Sequence, residues 1–99
     1  MDNSEIINTI TKYKLLVSKH FDVDKVVLYG SFANGTSHVG SDIDVAIIVN
    51  SVQGDFFTYA PLLWKLKRGL DDRIEPVLIE NKNDESGFLN TILNSGIII

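Results

Sequence analysis

Two short polar motifs hold the residues of this chain that are best suited to chemistry. Gly30 and Ser31 end one apolar run, and Asp42 and Asp44 begin another, with ten residues between Ser31 and Asp42. Because strand side chains alternate between two faces, both carboxylates are expected on one face, roughly 7 Å apart along the chain. Paired carboxylates bind hard divalent cations such as Mg²⁺ through oxygen. Two such ions can hold the attacking and leaving oxygens of a phosphoryl displacement.

The Gly30–Ser31 pair is suited to hold a phosphate group. Glycine lets the backbone approach a ligand closely, and a helical turn beginning here would direct its free N–H groups at an anion. The Ser31 hydroxyl adds another donor. Since the two apolar runs are expected to be neighbouring strands, a phosphate held at this turn would lie near metal ions bound by the two aspartates.

A third carboxylate is needed to complete such a centre, and Glu75 is the best candidate. It stands between apolar residues in the run IEPVLI, where an acidic side chain calls for a partner. There it would hold a metal ion and help to deprotonate an attacking hydroxyl. Asp71 and Asp72 compete for this role, but their surroundings are typical of a solvated turn. Taken alone, Glu75 is also explained as an edge-strand charge that opposes aggregation.

The elements that must position these residues follow from the spacing of apolar side chains. The predicted elements are, in order, a helix over about 4–20, strands over 25–29 and 42–49, a helix over about 61–70, a strand over 74–79, a helix from 88 that ends by 94–96, and a strand over 97–99. Pro61 suits the first turn of its helix, and Pro76 indicates an edge strand or a bulge. The first two strands are expected to pair antiparallel. The sequence therefore predicts an α+β, two-layer fold, a mixed β-sheet with helices packed mainly on one face.

Length and composition limit the classes of protein to which the chain can belong. Ninety-nine residues predict a single domain over residues 1–99. The net charge of −4 disfavours broad nucleic-acid binding. The absence of cysteine excludes disulfides, thiolate zinc sites and thiol nucleophiles. No apolar run approaches the roughly 20 residues that span a bilayer, and the acidic N-terminus is unlike a secretory signal, so a soluble, cytoplasmic protein with no membrane contact is expected.

Two surfaces are candidates for protein contact. Trp64 falls opposite the leucines of its helix, where it would either anchor a partner or pack under a flanking loop. Lys65, Lys67 and Arg68 near it are typical of a solvated face and would also suit an acidic partner. The strand over 97–99 would be an aggregation hazard on a bare edge, so it is expected to pair within the sheet or to be covered in a homo- or hetero-oligomer.

The residues 30–35 (GSFANG) and 41–45 (SDIDV) together resemble the signature of the DNA polymerase β-like nucleotidyltransferases. The likeness is greatest to the minimal nucleotidyltransferases (MntA-like antitoxins), which are single small domains, and the order of elements extends it over nearly the whole chain. The resemblance implies the polymerase β-like fold and two Mg²⁺ ions. It also implies an enzyme that transfers a nucleoside monophosphate from an NTP, with AMP from ATP as the first expectation, to a hydroxyl with release of pyrophosphate.

The resemblance also assigns roles to the motif residues. Asp42, Asp44 and Glu75 would be catalytic and would ligate the metal ions. The nucleotide-binding residues would be Gly30, Ser31, Asn34 and Ser41. Two positions depart from the family pattern: Asn34 stands where Arg is often found, and Glu75, followed by Pro76, stands where the third carboxylate is commonly Asp.

Three functions remain open on the sequence. The resemblance favours an antitoxin that modifies a helical HEPN partner, often a HEPN ribonuclease toxin and in some cases modified on tyrosine. Asn34 and Glu75 favour the alternative, a non-catalytic module of the same fold that neutralises its partner by contact. Transfer onto a small molecule or an RNA end is a third reading, which the acidic charge and the short chain disfavour.

Overall fold

The computed structural model describes residues 3–38, 40–51, 56–81 and 87–99. Helices and strands follow one another along these residues in the order α1 (Asn3–Val17), β1 (Val23–Tyr29), α2 (Ser31–Asn34), β2 (Ile43–Val49), α3 (Phe56–Lys67), β3 (Ile74–Glu80), α4 (Phe88–Ser95) and β4 (Ile97–Ile98). None of the described helices combines the length and the apolar character needed to cross a bilayer.

The strands form one mixed sheet in the order β3-β2-β1-β4. β1 pairs antiparallel with both β2 and β4, and β2 pairs parallel with β3 through the α3 crossover. The predicted antiparallel pairing of the first two strands is confirmed. These two strands are the central ones, which explains why residues 26–28 of β1 and 45–49 of β2 are continuously apolar and buried.

Helices pack mainly on one face of the sheet, as the α+β prediction required. Alternating side chains of β1 and β2 divide the core into two parts. On one face α1, α3 and Phe32 of α2 cover a cluster that includes Val26, Leu28 and Ile47. On the other face α4 covers a smaller cluster that includes Val27 and Ile48. Because α4 alone covers less of the second face than α1, α2 and α3 cover of the first, part of the second face is open to a site at one end of the sheet.

The predicted position of Pro61 in the first turn of its helix is wrong. α3 begins at Phe56, so Pro61 lies in the helix interior, where proline costs roughly 3 kcal/mol relative to alanine. Tyr59 in the added turn packs against the main core and against Phe21, with ring centroids 5.9 Å apart. This apolar packing extends the helix past the point where local propensity would begin it.

The two edge strands agree with the sequence prediction. β3, which contains Pro76, lies at one edge of the sheet, where a missing N–H is tolerated. At the other edge, Ile97 and Ile98 pair with Leu28 and Val27 of β1. The apolar C-terminal segment is therefore paired within the sheet, the first of the two arrangements that were expected.

Candidate active site

A row of polar side chains crosses three neighbouring strands at one end of the sheet. Tyr29 of β1 is the register partner of Asp44 of β2, and Asp44 is the register partner of Glu75 of β3. Directly paired residues share a face, and neighbouring strands lie about 4.8 Å apart. The fold therefore places the Asp44 and Glu75 carboxylates side by side on the face that α4 partly covers, with Tyr29 next to them.

Asp42 joins this row from the loop before β2. It is exposed, it lies two residues before Asp44, and its charge acts on the carboxyl groups of both Asp44 and Glu75. Asp42, Asp44 and Glu75, the three acids predicted from the sequence, thus lie close enough together to interact electrostatically. We refer to these three residues as the acidic row.

Mutual repulsion and loss of water change the acidity of the row. The pKa of Asp44 lies above its ordinary value because burial disfavours its charge and because the Asp42 carboxylate repels it. The pKa of Glu75 is raised by partial desolvation first and then by repulsion from Asp42 and Asp44. The Lys67 ammonium opposes that rise. Such a group of like charges favours a cation between its members.

The hydroxyl of Tyr29 belongs to the same environment, although no chemical role was predicted for this residue from the sequence. Burial raises its pKa first, and the charges of Asp44 and Glu75 raise it further. The signal available in the sequence was its place at the end of a strand, directly before Gly30. That signal becomes informative only when the register with Asp44 is known.

Gly30 brings the start of α2 against Asp44. Its φ of 73° lies in the left-handed region that favours glycine. A Cβ atom at this position would overlap Asp44 Oδ2 and would lie 3.2 Å from Asp44 Cγ. Position 30 therefore requires glycine both for its backbone conformation and for the space that the carboxylate occupies.

The Gly30–Ser31 turn leads into α2, as the sequence hypothesis of a helical turn proposed. The amides of Ala33 and Asn34 donate to the Gly30 carbonyl at 3.1 and 3.0 Å. Asn34 is the exposed last residue of this short helix. The beginning of α2 thus directs its first backbone N–H groups away from the helix, next to the acidic row.

Ser41 acts within the loop that joins α2 to β2. Its hydroxyl accepts a hydrogen bond from the His38 amide at 2.8 Å, and its own amide donates to the His38 carbonyl at 2.9 Å. The side chain is 8% exposed. These contacts brace the loop that carries Asp42.

Asp71 and Asp72, the competing carboxylates, have other surroundings. Asp71 accepts hydrogen bonds from Arg73 Nε at 3.0 Å and from Arg73 Nη2 at 2.7 Å, which hold its pKa below the ordinary range. The Arg73 carbonyl in turn accepts a bond from the Ile43 amide at 2.8 Å. Asp71 therefore helps to align the start of β3 with the start of β2, while Asp72 is exposed in the turn.

The donor chemistry of the acidic row fits a divalent cation, because carboxylate oxygens are the ligands that Mg²⁺ prefers. Within the described part of the chain, no three His, Cys, Asp or Glu side chains stand in an arrangement that would hold a metal ion as they are placed. The backbone register brings the acids together, and rotation of their side chains would be needed to direct three of them at one ion.

Comparisons with known proteins extend these observations. The model of a family described as "Polymerase beta, Nucleotidyltransferase" matches residues 8–99. Among curated proteins, none matches the sequence. A candidate nucleotidyltransferase from Sulfolobus solfataricus has a similar structure, with a TM-score of 0.72, 15% identity, and coverage of 97% of this chain and 80% of that one.

Two further solved structures come from toxin–antitoxin complexes. One complex contains AMP-PNP; its matching chain has a TM-score of 0.62 and 21% identity, with coverage of 99% of this chain and 72% of that one. The other is a mutant of the MntA–HpeT pair, with a TM-score of 0.62, 24% identity, and coverage of 100% and 72%. At these identities the three structures establish a shared fold.

Proposed function

The chain belongs to the polymerase β nucleotidyltransferase family and is an enzyme of the nucleotidyltransferase class, and we propose that it transfers AMP from ATP to a hydroxyl group of a partner protein. The observation that carries this proposal is the register that sets Asp44 beside Glu75 on one face of the sheet, with Asp42 two residues before Asp44. Acids gathered on one rigid face next to a glycine turn suit the transfer of a phosphorus group.

The proposed division of labour follows the position of each residue. The Gly30–Ser31 turn would hold the triphosphate through backbone N–H groups and the Ser31 hydroxyl, with the Asn34 amide as a further contact. Asp42, Asp44 and Glu75 would hold divalent cations, two Mg²⁺ ions in the full proposal. When bound, these ions would neutralise the charge that develops on the phosphate oxygens. Ser41 would contribute by bracing the loop before Asp42.

The transfer step forms one bond and breaks one. The acceptor oxygen bonds to the α-phosphorus of ATP, the bond from that phosphorus to the bridging oxygen breaks, and pyrophosphate leaves. The proton of the acceptor hydroxyl passes to a carboxylate of the row, and Glu75 is the proposed base. Glu75 suits this role because it is exposed on the edge strand β3, where an acceptor hydroxyl can reach its carboxylate.

We further propose that the acceptor is a helical HEPN-type toxin and that the chain is its antitoxin. Two similar structures come from toxin–antitoxin complexes, and one of those complexes contains an ATP analogue. A chain of 99 residues has little surface with which to select a small acceptor, so a macromolecule that presents its own hydroxyl fits better.

The direct test combines the chain and a co-purified partner protein with ATP and Mg²⁺, and measures added nucleotide by mass spectrometry. We expect AMP on the partner, and Asp42→Asn should remove it because one carboxylate of the row is lost. Asp72→Asn, which removes an exposed carboxylate outside the row, is the matched control and should retain transfer. An unmodified partner under these conditions would contradict the proposal. Neutralisation of the toxin by Asp42→Asn would favour inhibition by contact alone.

A further inference from the structure

The outward face of α3 carries a stripe of exposed residues that the proposed reaction does not use. Pro61, Trp64, Lys65 and Arg68 are all exposed. The first three lie on one side of the helix because of their spacing, and Arg68 follows in the turn directly after Lys67, the last residue of α3. We refer to these four residues as the α3 surface. With Ala60, three of them line an open groove of about 410 Å³, namely Pro61, Trp64 and Arg68.

Trp64 is held in place although it is 44% exposed. Lys67 Nζ lies 4.3 Å from the centre of its ring, within the range of a cation–π contact. The same ammonium donates a hydrogen bond to the Asp72 carbonyl at 2.8 Å, and Lys67 is only 9% exposed. An aromatic side chain that is already ordered loses little entropy when a partner covers it.

The charge of the α3 surface is opposite to that of the chain. The chain has a net charge of −4, whereas the helix over Phe56–Lys67 contains no acidic residue. Lys65 and Arg68 flank Trp64 on the exposed side. A partner segment that carries acidic side chains beside an apolar one would complement both the two cations and the groove.

The α3 surface lies at the same end of the molecule as the acidic row. α3 ends at Lys67, and the chain then turns directly into β3 at Ile74, the residue before Glu75. The Lys67 ammonium, which lies over the Trp64 ring, is also close enough to Glu75 to favour the charged form of its carboxyl group. α3 packs on the opposite face of the sheet from the acidic row, so a protein seated on this surface would reach the acids around the end of the sheet at which the edge strand β3 begins.

We propose that the α3 surface docks an acidic segment of the acceptor protein, with an apolar side chain of that segment in the groove beside Trp64. The proposal rests on the proposed function only in identifying the docked protein as the acceptor. Trp and Arg are the residues most often found at the energetic centre of protein interfaces. A nucleic acid is the less favoured occupant, because its continuous negative charge extends beyond Lys65 and Arg68 onto the acidic remainder of the chain, whereas a short acidic segment meets only these two cations.

The first experiment uses Trp64 as its own reporter, since it is the only tryptophan in the chain. The probe is a synthetic amphipathic peptide of Leu and Glu, titrated without nucleotide or metal. The comparison probes are the same peptide with Lys in place of Glu and a single-stranded oligonucleotide of equal negative charge. We expect a saturable shift of Trp64 emission to shorter wavelength with the acidic peptide alone. A preference for the oligonucleotide or the Lys peptide, or no saturable shift, would overturn the proposal.

Variants then test the named residues, with a labelled acidic peptide followed by fluorescence anisotropy. Trp64→Ala, and Lys65→Glu combined with Arg68→Glu, should each weaken binding by about tenfold or more. The matched controls are Leu15→Ala, at a leucine that is 64% exposed on α1, and Lys19→Glu, at an exposed lysine before β1, at the opposite end of that strand from Tyr29. Equal losses in the controls would contradict a specific surface.

The transfer reaction supplies a separate readout for the acceptor. The α3 surface variants should raise KM for the protein acceptor by about tenfold and leave KM for ATP unchanged. An unchanged KM for the acceptor would overturn its docking on this surface. Because peptide binding is measured without nucleotide, failure of the proposed transfer reaction and failure of the docking proposal remain distinguishable.

Discussion

Gly30 and Asp44 show how closely single residues are fitted at the candidate site. The carboxylate occupies the space that any side chain at position 30 would need. The glycine is therefore tied to the position of an acid 14 residues later in the chain. A sequence motif that pairs Gly-Ser with Asp-x-Asp has, in this fold, a steric cause as well as a chemical one.

Comparing alanine substitutions at Gly30 and Gly35 should separate the cost of the left-handed backbone from the displacement of Asp44. Gly30→Ala should lower the free energy of unfolding by about 1–3 kcal/mol through the left-handed backbone and should also displace Asp44, so that AMP transfer is lost. Gly35→Ala is the matched control, because Gly35 has a φ of 74° with nothing within 4 Å of its added Cβ. Urea denaturation and the transfer assay measure the two effects, and equal transfer by both variants would contradict the displacement of Asp44.

Asp71 predicts a dependence of stability on pH. Its pKa is lowered in the fold, chiefly by the hydrogen bond from Arg73. Such a carboxyl stabilises the fold above the pKa of the unfolded chain, about 3.9 for Asp, and loses this contribution as the pH falls through the folded-state pKa. Asp71→Asn should therefore be less stable than the native chain at pH 7, and the difference should shrink below about pH 4.

The measurement for Asp71 is thermal unfolding across a pH series. Asp72→Asn removes a neighbouring carboxylate that is exposed in the same turn and controls for the change in net charge. If the stability difference between the native chain and Asp71→Asn stayed constant from pH 7 to about pH 3, the bond to Arg73 would not be the source of the effect.

At the scale of elements, the strands were predictable because local patterns determine them. The apolar runs of β1 and β2, and the short connection between them, indicated an antiparallel pair. The register between Asp44 and Glu75 was not available in the sequence, because it depends on the long crossover through α3 and on the bond from Ile43 to Arg73. The start of α3 was mispredicted for the same reason, since the packing of Tyr59 outweighs the local preference of Pro61.

The contact between α1 and α3 supports this crossover and can be tested through Tyr13. Its buried hydroxyl donates to the Leu63 carbonyl at 2.7 Å. Tyr13→Phe should lower the free energy of unfolding by about 1 kcal/mol, because the carbonyl loses a hydrogen bond inside the core. Tyr59→Phe, at a partly buried tyrosine of α3, is a suitable control. An equal or smaller loss for Tyr13→Phe in urea denaturation would contradict the role assigned to this bond.

At the scale of the whole molecule, the sheet order explains why so short a chain can hold a site. The two central strands are buried, and the third acid is supplied by the edge strand β3. Composition predicted a modest core and an acidic chain, and both are consistent with this architecture. Composition contained no information on which end of the sheet would stay open, because that depends on where α4 lies across β1 and β2.

The strand order also affects the timing of folding. β1 and β2 are joined by residues 30–42, whereas β2 and β3 are joined by residues 50–73. Closing the longer connection costs more chain entropy, so the hairpin that carries Asp42 and Asp44 is expected to form first and Glu75 to arrive last. An early folding intermediate would then hold two of the three acids. Such a species would be nearly native in its central strands and still inert.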